Sequence, residues 1–174
     1  MTLQEKTVEK LIENNYHIAF AESCTGGMCC AALVDVANAS RVLDMSFVTY
    51  ANEAKIKLLG VDENTIGTHG VVSEQVAREM ACGVCKTADC EGSLSKVSKP
   101  LMHLRHRQVE VGVGVSGIAG PTGGTDTKPV GMVCFGFCVN GNTVSYTKYF
   151  GNIGRNNVRT RSMNFVFETL LKLL

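Results

Sequence analysis

The segment Glu22–Gly27 (ESCTGG) carries the side chains with the clearest chemical potential in the sequence. It follows a short apolar stretch and precedes a helical one, so it falls at a strand-to-helix junction. The first turn of a helix has free N–H groups and partial positive charge, and glycines let an anion or oxyanion approach them. Ser23 is therefore a candidate nucleophile, and Cys24 is a rival because a helix start lowers the pKa of a thiol. A serine that only caps the helix explains the same residues without catalysis.

A second glycine-rich segment, Ser116–Thr125 (SGIAGPTGGT), follows a strand of alternating valines. Its composition suits a loop that wraps a phosphate or a ribose. It is not a Walker A motif, because no Gly-Lys-Ser/Thr follows, and it is not a Gly-x-Gly-x-x-Gly motif that opens a helix. Taken alone, the segment is therefore only a weak indication of nucleotide binding.

A serine nucleophile needs a base, and the histidines do not supply an obvious one. No Ser-His-Asp pattern is visible, and His69 is more simply explained as lining a turn. The alternative base is a lysine whose pKa is lowered by burial or by a neighbouring cation. Tyr50 ends a predicted strand and Lys55 falls in the first turn of the next helix, so both would project from the sheet edge that carries Ser23. An edge tyrosine and a solvated helix lysine are the alternatives without function.

Hydrophobic periodicity predicts the elements that must bring these residues together. Thr2 and Glu5 form a capping box for a first helix, and Asn140-Gly141-Asn142 joins two strands as an antiparallel hairpin. Helices alternate with strands before the hairpin, so the fold class is α/β, with a mixed, mostly parallel sheet covered by helices on both faces. The predicted order is α-β-α-β-α-α-β-β-β-α, with strands at 18–21, 46–50, 109–115, 130–139 and 143–150 and inner helices at 28–36, 52–59 and 73–85.

The chain has 174 residues, the size of one domain, and we assign 1–174 to a single domain. Its formal net charge is +1, from 17 Lys and Arg against 16 Asp and Glu, which argues against a dedicated nucleic-acid binder. No apolar run approaches the ~20 residues that span a bilayer, and the N-terminus does not resemble a signal peptide. These features predict a cytoplasmic protein without membrane partners.

The segment 86–108 is polar and has no sustained periodicity. It is rich in lysine, arginine and serine, which is typical of an exposed connection. We therefore predict a surface insertion, and a patch that binds nucleic acid or a partner is the alternative.

The eight cysteines are expected to be free thiols, since nothing supports secretion. Cys82 and Cys85 have the spacing of half a zinc site, but no second pair has comparable spacing. The adjacent Cys29 and Cys30 would give poor tetrahedral geometry. We therefore expect no metal, and we expect the thiols to behave as small apolar side chains.

Five blocks stand in order along the chain: Ala21–Gly27, Phe47–Lys55, His69–Ser73, Ser116–Gly124 and Lys128–Gly131. Together they resemble the C-terminal domain of the CinA family, over nearly the whole chain apart from 86–108. The resemblance implies a three-layer α/β/α sandwich. The family includes the nicotinamide mononucleotide deamidases, which hydrolyse the carboxamide of nicotinamide mononucleotide (NMN) to nicotinate mononucleotide and ammonia.

The resemblance also implies roles for individual residues. Ser23 matches the nucleophile of a Ser-Tyr-Lys arrangement, Tyr50 the relay tyrosine and Lys55 the general base. A phosphate-site arginine matches Arg155, with Arg159 as the second candidate on the same helix face. The full set of expected substrate-binding residues is Thr25, Gly26, Gly27, Ser116, Gly117, Gly120, Arg155 and Arg159.

The activity implied by the resemblance is that of a homo-oligomeric amidohydrolase for a small nucleotide, without a cofactor. Many family members carry an additional N-terminal molybdopterin-binding-like domain with pyrophosphatase chemistry. This sequence contains no such domain, so we expect only the amidohydrolase module here. The segment 86–108 is longer than the usual connection in the family. The alternative functions are a nucleotide-binding module without turnover, which ammonia release from NMN would exclude, and a hydrolase of another amide, which a substrate panel would reveal.

Overall fold

The computed structural model of the protein describes residues 1–88 and 109–174. Most of the predicted insertion 86–108 lies outside these residues, together with Cys90, His103 and His106. The predicted α/β class is confirmed, because the described chain forms one five-stranded sheet with helices on both faces. Among the described helices, none is both long enough and apolar enough to cross a membrane.

The sheet is mixed, and its strands are β1 (Ile18–Glu22), β2 (Phe47–Val48), β3 (Val111–Gly117), β4 (Met132–Val139) and β5 (Asn142–Tyr149). They lie in the order β2-β1-β3-β4-β5. Strand β1 is parallel to both of its neighbours, and β4 is antiparallel to both of its own. The predicted hairpin is therefore β4–β5, and the carboxyl ends of β1, β2 and β3 meet at one edge of the sheet.

The helices form the two outer layers, and they are α1 (Leu3–Asn14), α2 (Met28–Val34), α3 (Asn52–Leu59), α4 (Glu63–His69), α5 (Glu74–Ala88) and α6 (Arg155–Leu173). Helix α5 covers one face of the sheet and packs against α3 and α4. Helices α1, α2 and α6 pack together on the opposite face. The capping box predicted at the start of α1 is present, with Thr2 and Glu5 each bonding the other's backbone N–H.

Glycines on one face of β3 and β4 let α5 lie directly on the sheet. A Cβ built on Gly112 would be 2.0 Å from the Ala81 carbonyl oxygen, and one on Gly114 or Gly136 would be 2.3 or 2.1 Å from that of Ala77. Because side chains alternate between the two faces of a strand, the valines of β3 fill the opposite layer. The valine–glycine alternation in the sequence thus separates a valine-filled face from a face of close backbone contact.

Helix α4 is missing from the predicted order of elements. It spans seven residues, none of them buried, and its Thr65, Gly67 and Thr68 are weak helix formers. No apolar stripe therefore marks it in the sequence. It begins because the Asp62 carboxylate accepts a hydrogen bond from the Asn64 N–H at 2.9 Å.

The second strand is shorter than predicted, at Phe47–Val48 instead of 46–50. The two residues that follow it turn their carbonyl oxygens to the side chain of Lys55. Those carbonyls cannot continue the ladder, so the strand ends early and its end becomes part of the site described next.

Candidate active site

The candidate site lies at the edge of the sheet where the parallel strands β1 and β2 end. Ser23 follows β1 directly, and its N–H donates to the Val115 carbonyl oxygen of β3 at 3.0 Å. Lys55 lies in the first turn of α3, the helix that follows β2. Because the carboxyl ends of parallel strands meet at one edge, these two side chains converge although 32 positions separate them in the sequence.

Lys55 is fully buried, and its Nζ lies 3.3 Å from Ser23 Oγ. The same Nζ donates to the carbonyl oxygens of Thr49 at 2.7 Å and of Tyr50 at 3.2 Å. No carboxylate is among its hydrogen-bond partners in the described chain. Desolvation by burial lowers the pKa of Lys55 from its ordinary value, and the neighbouring Cys24 opposes this to a smaller extent. The neutral, basic form of this lysine is therefore more accessible than that of an exposed one.

Tyr50 contributes to the site mainly through its backbone. Its carbonyl oxygen accepts a hydrogen bond from Lys55, whereas its side chain is 63% exposed. The hydroxyl accepts a hydrogen bond from Arg155 Nη2 at 3.1 Å. The contact between Lys55 and Ser23 is therefore direct, and the tyrosine hydroxyl lies at the arginine instead of between the two.

Two arginines one turn apart on α6 reach the site with different partners. Arg155 is the first residue of α6 and is exposed, and its Nη1 donates to the Gly120 carbonyl oxygen at 2.9 Å. Arg159 is half-buried, and it donates to the carbonyl oxygens of Cys24 and Thr25. Neither guanidinium has a carboxylate partner within the described residues. The site edge therefore carries positive charge that its own acids do not neutralise.

Glu22 is a buried carboxylate directly before the candidate nucleophile Ser23, and the sequence analysis did not identify its role. It is 1% exposed, and it accepts hydrogen bonds from the N–H groups of Gly27 at 3.0 Å, Cys29 at 3.1 Å and Cys30 at 2.9 Å. An acid next to a predicted helix start is the signal that could have indicated this arrangement. The first-turn N–H groups of α2 that were expected to meet an anion are therefore already occupied by a side chain of the protein.

The three residues after Cys24 shape the turn more than they present side chains. Thr25 is fully buried, so its side chain is not exposed at the site. Gly26 and Gly27 have φ angles of +59° and +93°, which L side chains rarely adopt. The glycines are therefore required for the backbone path itself. We call Ser23–Gly27 the nucleophile turn.

The second glycine-rich segment is brought against the nucleophile turn. Gly117 packs on Cys24, since a Cβ built on it would lie 3.0 Å from the thiol sulfur. Ser116 is buried and its hydroxyl donates to the Val71 carbonyl oxygen at 2.8 Å, so it holds a neighbouring loop. Gly120 has a φ of +80° and offers its carbonyl oxygen to Arg155. The expected substrate-binding residues thus lie around one surface, although the hydroxyl of Ser116 is engaged within the protein.

Cys24 is a poor rival to Ser23 as the nucleophile. Only 5% of it is exposed, and burial raises the pKa of its thiol to about 12. The Glu22 carboxyl group raises that pKa further, while the guanidinium groups of Arg159 and Arg155 lower it. Thiolate is therefore scarce at this position near neutral pH.

The cysteines with zinc-like spacing lie elsewhere, on α5. Cys82 and Cys85 line a cavity of about 380 Å³ together with Cys138 of β4, and the Cys138 thiol is in hydrogen-bonding contact with both. Burial raises the pKa of Cys82 to about 11 and that of Cys85 further. The seven cysteines within the described residues are all unpaired, and no three His, Cys, Asp or Glu side chains there form a metal-ligand group.

Fold and site together define a class of protein: a three-layer α/β sandwich with a buried lysine held against a serine at the carboxyl edge of its parallel strands. The sequence profile of the CinA C-terminal domain matches residues 1–97 and 102–174. The chain therefore belongs to the CinA C-terminal domain family.

Individual relatives agree with this assignment. A CinA-like protein of Kosmotoga olearia is 38% identical over 173 residues, which cover 99% of this chain and 37% of the relative. The chain thus spans little more than a third of the length of the curated relatives that it matches. Among solved structures, the competence/damage inducible protein CihA of Agrobacterium tumefaciens is 35% identical with a TM-score of 0.80, covering 99% of this chain and 96% of that one. A competence or damage-inducible protein of Enterobacter asburiae is 30% identical with a TM-score of 0.84, covering 98% and 95%.

Proposed function

We propose that this chain is a serine amidohydrolase that converts NMN to nicotinate mononucleotide and ammonia. The observation that carries the proposal is the fully buried Lys55, whose Nζ lies 3.3 Å from Ser23 Oγ. An ordinary serine hydroxyl is a weak nucleophile and needs a base within hydrogen-bonding reach. The nicotinamide nucleotide as substrate comes from the family resemblance of the site motifs.

The hydrogen bonds of Lys55 suit its role as the base. A neutral amine has two N–H donors and one lone pair. The carbonyl oxygens of Thr49 and Tyr50 can accept those two donors, which leaves the lone pair for the Ser23 hydroxyl. Because two backbone carbonyls fix the amine, the lone pair is oriented before the substrate arrives.

The proposed reaction proceeds in two halves. Ser23 Oγ attacks the carboxamide carbon while its proton passes to Lys55, and the carbonyl electron pair becomes an oxyanion held by backbone N–H groups of the nucleophile turn. The oxyanion collapses, the C–N bond breaks, and the proton on Lys55 leaves with ammonia. Water then attacks the acyl-enzyme while one of its protons passes to Lys55. The bond to Ser23 Oγ breaks, Lys55 returns the proton to that oxygen, and the product leaves as the acid, which ionises in water. The relay role that the family resemblance gives Tyr50 would insert its hydroxyl into these proton transfers.

A nucleotide substrate is supported by the charge at the site edge. Arg155 is exposed and has no carboxylate partner among the described residues, so its remaining N–H groups are free to meet a phosphate. Its location beside the carbonyl of Gly120 puts it next to the second glycine-rich segment. We therefore assign the phosphate to Arg155 and the nicotinamide carboxamide to Ser23.

The test is the purified protein with NMN, measuring ammonia and nicotinate mononucleotide in parallel with Ser23→Ala. Ser40→Ala is the matched control, because Ser40 is exposed on the short helix Ala39–Arg41 away from the site. We expect equimolar products from the wild type and from Ser40→Ala, and none from Ser23→Ala. If Ser23→Ala turned NMN over at the wild-type rate, Ser23 could not be the nucleophile.

Other outcomes separate the alternative functions. Binding of NMN without ammonia release would indicate a nucleotide-binding module, and ammonia from a different amide in a substrate panel would change the substrate. The proposal also includes a cytoplasmic location and a homo-oligomer. Light scattering on the eluted protein measures the oligomeric state.

A further inference from the structure

Arg159 holds two successive carbonyl groups of the nucleophile turn. Its Nε donates to the Cys24 carbonyl oxygen at 3.1 Å, and its Nη2 donates to that of Thr25 at 2.8 Å. The guanidinium is half-buried, and a Cβ built on Gly26 would lie 3.4 Å from Nη2. The arginine therefore fixes the orientation of two consecutive peptide planes beside Ser23.

Peptide geometry sets where the N–H groups of those planes point. In a planar trans peptide, the C=O of one residue and the N–H of the next point in opposite directions. The Cys24 and Thr25 carbonyls face Arg159, so the N–H groups of Thr25 and Gly26 face away from it. The Gly26 N–H indeed donates to the Ser23 carbonyl oxygen at 3.1 Å. The Thr25 N–H, on the preceding peptide, likewise points away from Arg159.

The Thr25 N–H is also the donor that remains available. Within the described chain it donates to no other residue. The N–H groups of Gly27 and Cys29 are taken by Glu22. The N–H of Met28 donates to the Thr25 carbonyl oxygen at 3.3 Å. Among these groups, an oxyanion formed at Ser23 therefore finds its remaining backbone donor at Thr25.

We propose that Arg159 is a positioning residue, which orients and polarises the Cys24–Thr25 peptide so that its N–H stabilises the oxyanion formed at Ser23. A cation at a peptide oxygen withdraws electron density and strengthens the N–H on the other side as a donor. This inference rests on the proposed function, and it separates Arg159 from Arg155, which lies one turn away and takes the phosphate. Arg159 itself touches neither the reacting atoms nor the phosphate.

The two arginines form a matched pair for kinetics with NMN. Removing one oxyanion donor typically lowers kcat by about 10²- to 10³-fold, so Arg159→Ala should lower kcat by about 10²-fold with KM nearly unchanged. Arg155→Ala should raise KM with a smaller effect on kcat. Arg159→Lys keeps one cationic donor and should recover part of kcat. A selective rise of KM in Arg159→Ala would overturn the inference and make Arg159 a phosphate ligand.

A phosphate-free probe tests the oxyanion site independently of turnover. Pyridine-3-carboxaldehyde can add to Ser23: the Oγ–C bond forms, the carbonyl π pair moves to the aldehyde oxygen, and the serine proton passes to Lys55. We expect the affinity for this aldehyde to fall in Arg159→Ala and to be unchanged in Arg155→Ala. Unchanged affinity in Arg159→Ala, or absence of the adduct in the wild type, would overturn the inference.

These measurements keep the two proposals apart. If the wild type releases no ammonia from NMN, the proposed function fails, and the aldehyde affinities still decide the role of Arg159. If NMN is hydrolysed but Arg159→Ala keeps the wild-type kcat, only the further inference fails. Melting temperatures show whether Arg159→Ala folds. If it does not, the same measurements are compared between Arg159→Lys and the wild type.

Discussion

At the scale of single residues, the proposed chemistry depends on a lysine, Lys55, that the fold removes from water. A lysine without a carboxylate partner is rarely buried in a protein interior, because burying an ammonium without a counter-ion is costly. Here two carbonyl oxygens and a serine hydroxyl surround it instead of a carboxylate. Such an environment favours the neutral amine, which is the form that can accept a proton from Ser23.

Lys55→Arg should lower kcat for NMN by about 10²- to 10⁴-fold, the usual contribution of a general base. Arginine remains protonated and cannot accept the serine proton. Lys57→Arg is the control, because Lys57 is exposed on the same helix. Steady-state ammonia release with circular dichroism of both variants measures the effect. A folded Lys55→Arg enzyme with normal turnover would exclude the lysine as base.

The pH dependence follows from the lowered pKa of Lys55. The proposed mechanism requires the neutral amine, so kcat/KM should rise with pH and level off above a pKa lower than the ordinary 10.5. The unfolded chain holds the Lys55 proton more tightly than the folded one, so folding stability should also rise with pH between the two pKa values. Melting temperatures of the wild type and Lys55→Met across that range check the second effect, which should disappear in the variant.

Tyr50→Phe distinguishes a proton relay from a residue that acts through Arg155. The structure has the hydroxyl 3.1 Å from Arg155 Nη2, and the substitution removes that hydrogen bond. A hydrogen bond of ordinary net strength corresponds to about 2- to 10-fold in affinity, so we expect KM for NMN to rise by about that factor while kcat is largely kept. A large loss of kcat at unchanged KM would instead support the relay role. The same substitution in Arg155→Ala should then have little further effect on KM.

At the scale of secondary structure elements, the contact between α5 and the sheet depends on glycines. Gly112→Ala should destabilise the fold by about 1–3 kcal/mol, because the added methyl group would meet the backbone of α5 and overpack it. The nearest atom belongs to the backbone and cannot rotate away as a side chain can: the Ala81 carbonyl oxygen would lie 2.0 Å from the new carbon. Urea unfolding followed by circular dichroism measures the difference.

Gly67→Ala is the control for Gly112→Ala. A Cβ at Gly67 would meet nothing within 4 Å, and the residue lies inside α4. Alanine is the better helix former by about 1 kcal/mol, so this variant should be as stable as the wild type or slightly more stable. Equal destabilisation by both substitutions would show that close packing on α5 is not the reason.

At the scale of the whole molecule, the state of the cysteines shows whether the folded protein contains disulfide bonds or bound metal. Thiol counting on denatured protein, without reductant, should find all eight, and metal analysis should find no stoichiometric zinc. In the native protein, burial raises the pKa values of Cys24 and Cys82 to about 12 and 11, so alkylation of these two thiols near pH 8 should be slow. A missing pair of thiols, or bound zinc released by a chelator, would contradict this expectation.

Much of the architecture follows from the sequence alone. Val-Gly alternation over 111–115, the Asn-Gly hairpin turn at 140–142 and the capping box at Thr2 are local patterns, and each corresponds to an element of the structure. The nucleophile turn is local as well, because a serine followed by two glycines between a strand and a helix is visible without any long-range contact. Helix α4 is not, since none of its seven residues is buried and no hydrophobic stripe marks it.

The contacts that make a site out of these residues depend on the tertiary structure. The order of the parallel strands brings Lys55 to Ser23 across 32 positions of the sequence. Arg155 and Arg159 lie on the same helix face, and the sequence does not distinguish their contacts. In the structure the Arg155 guanidinium is exposed beside Gly120, whereas that of Arg159, one turn later, binds the nucleophile turn. Sequence patterns report which side chains share a face of their own element, whereas distances between elements are set by packing of the whole core, so only the folded chain decides which charge meets which atom.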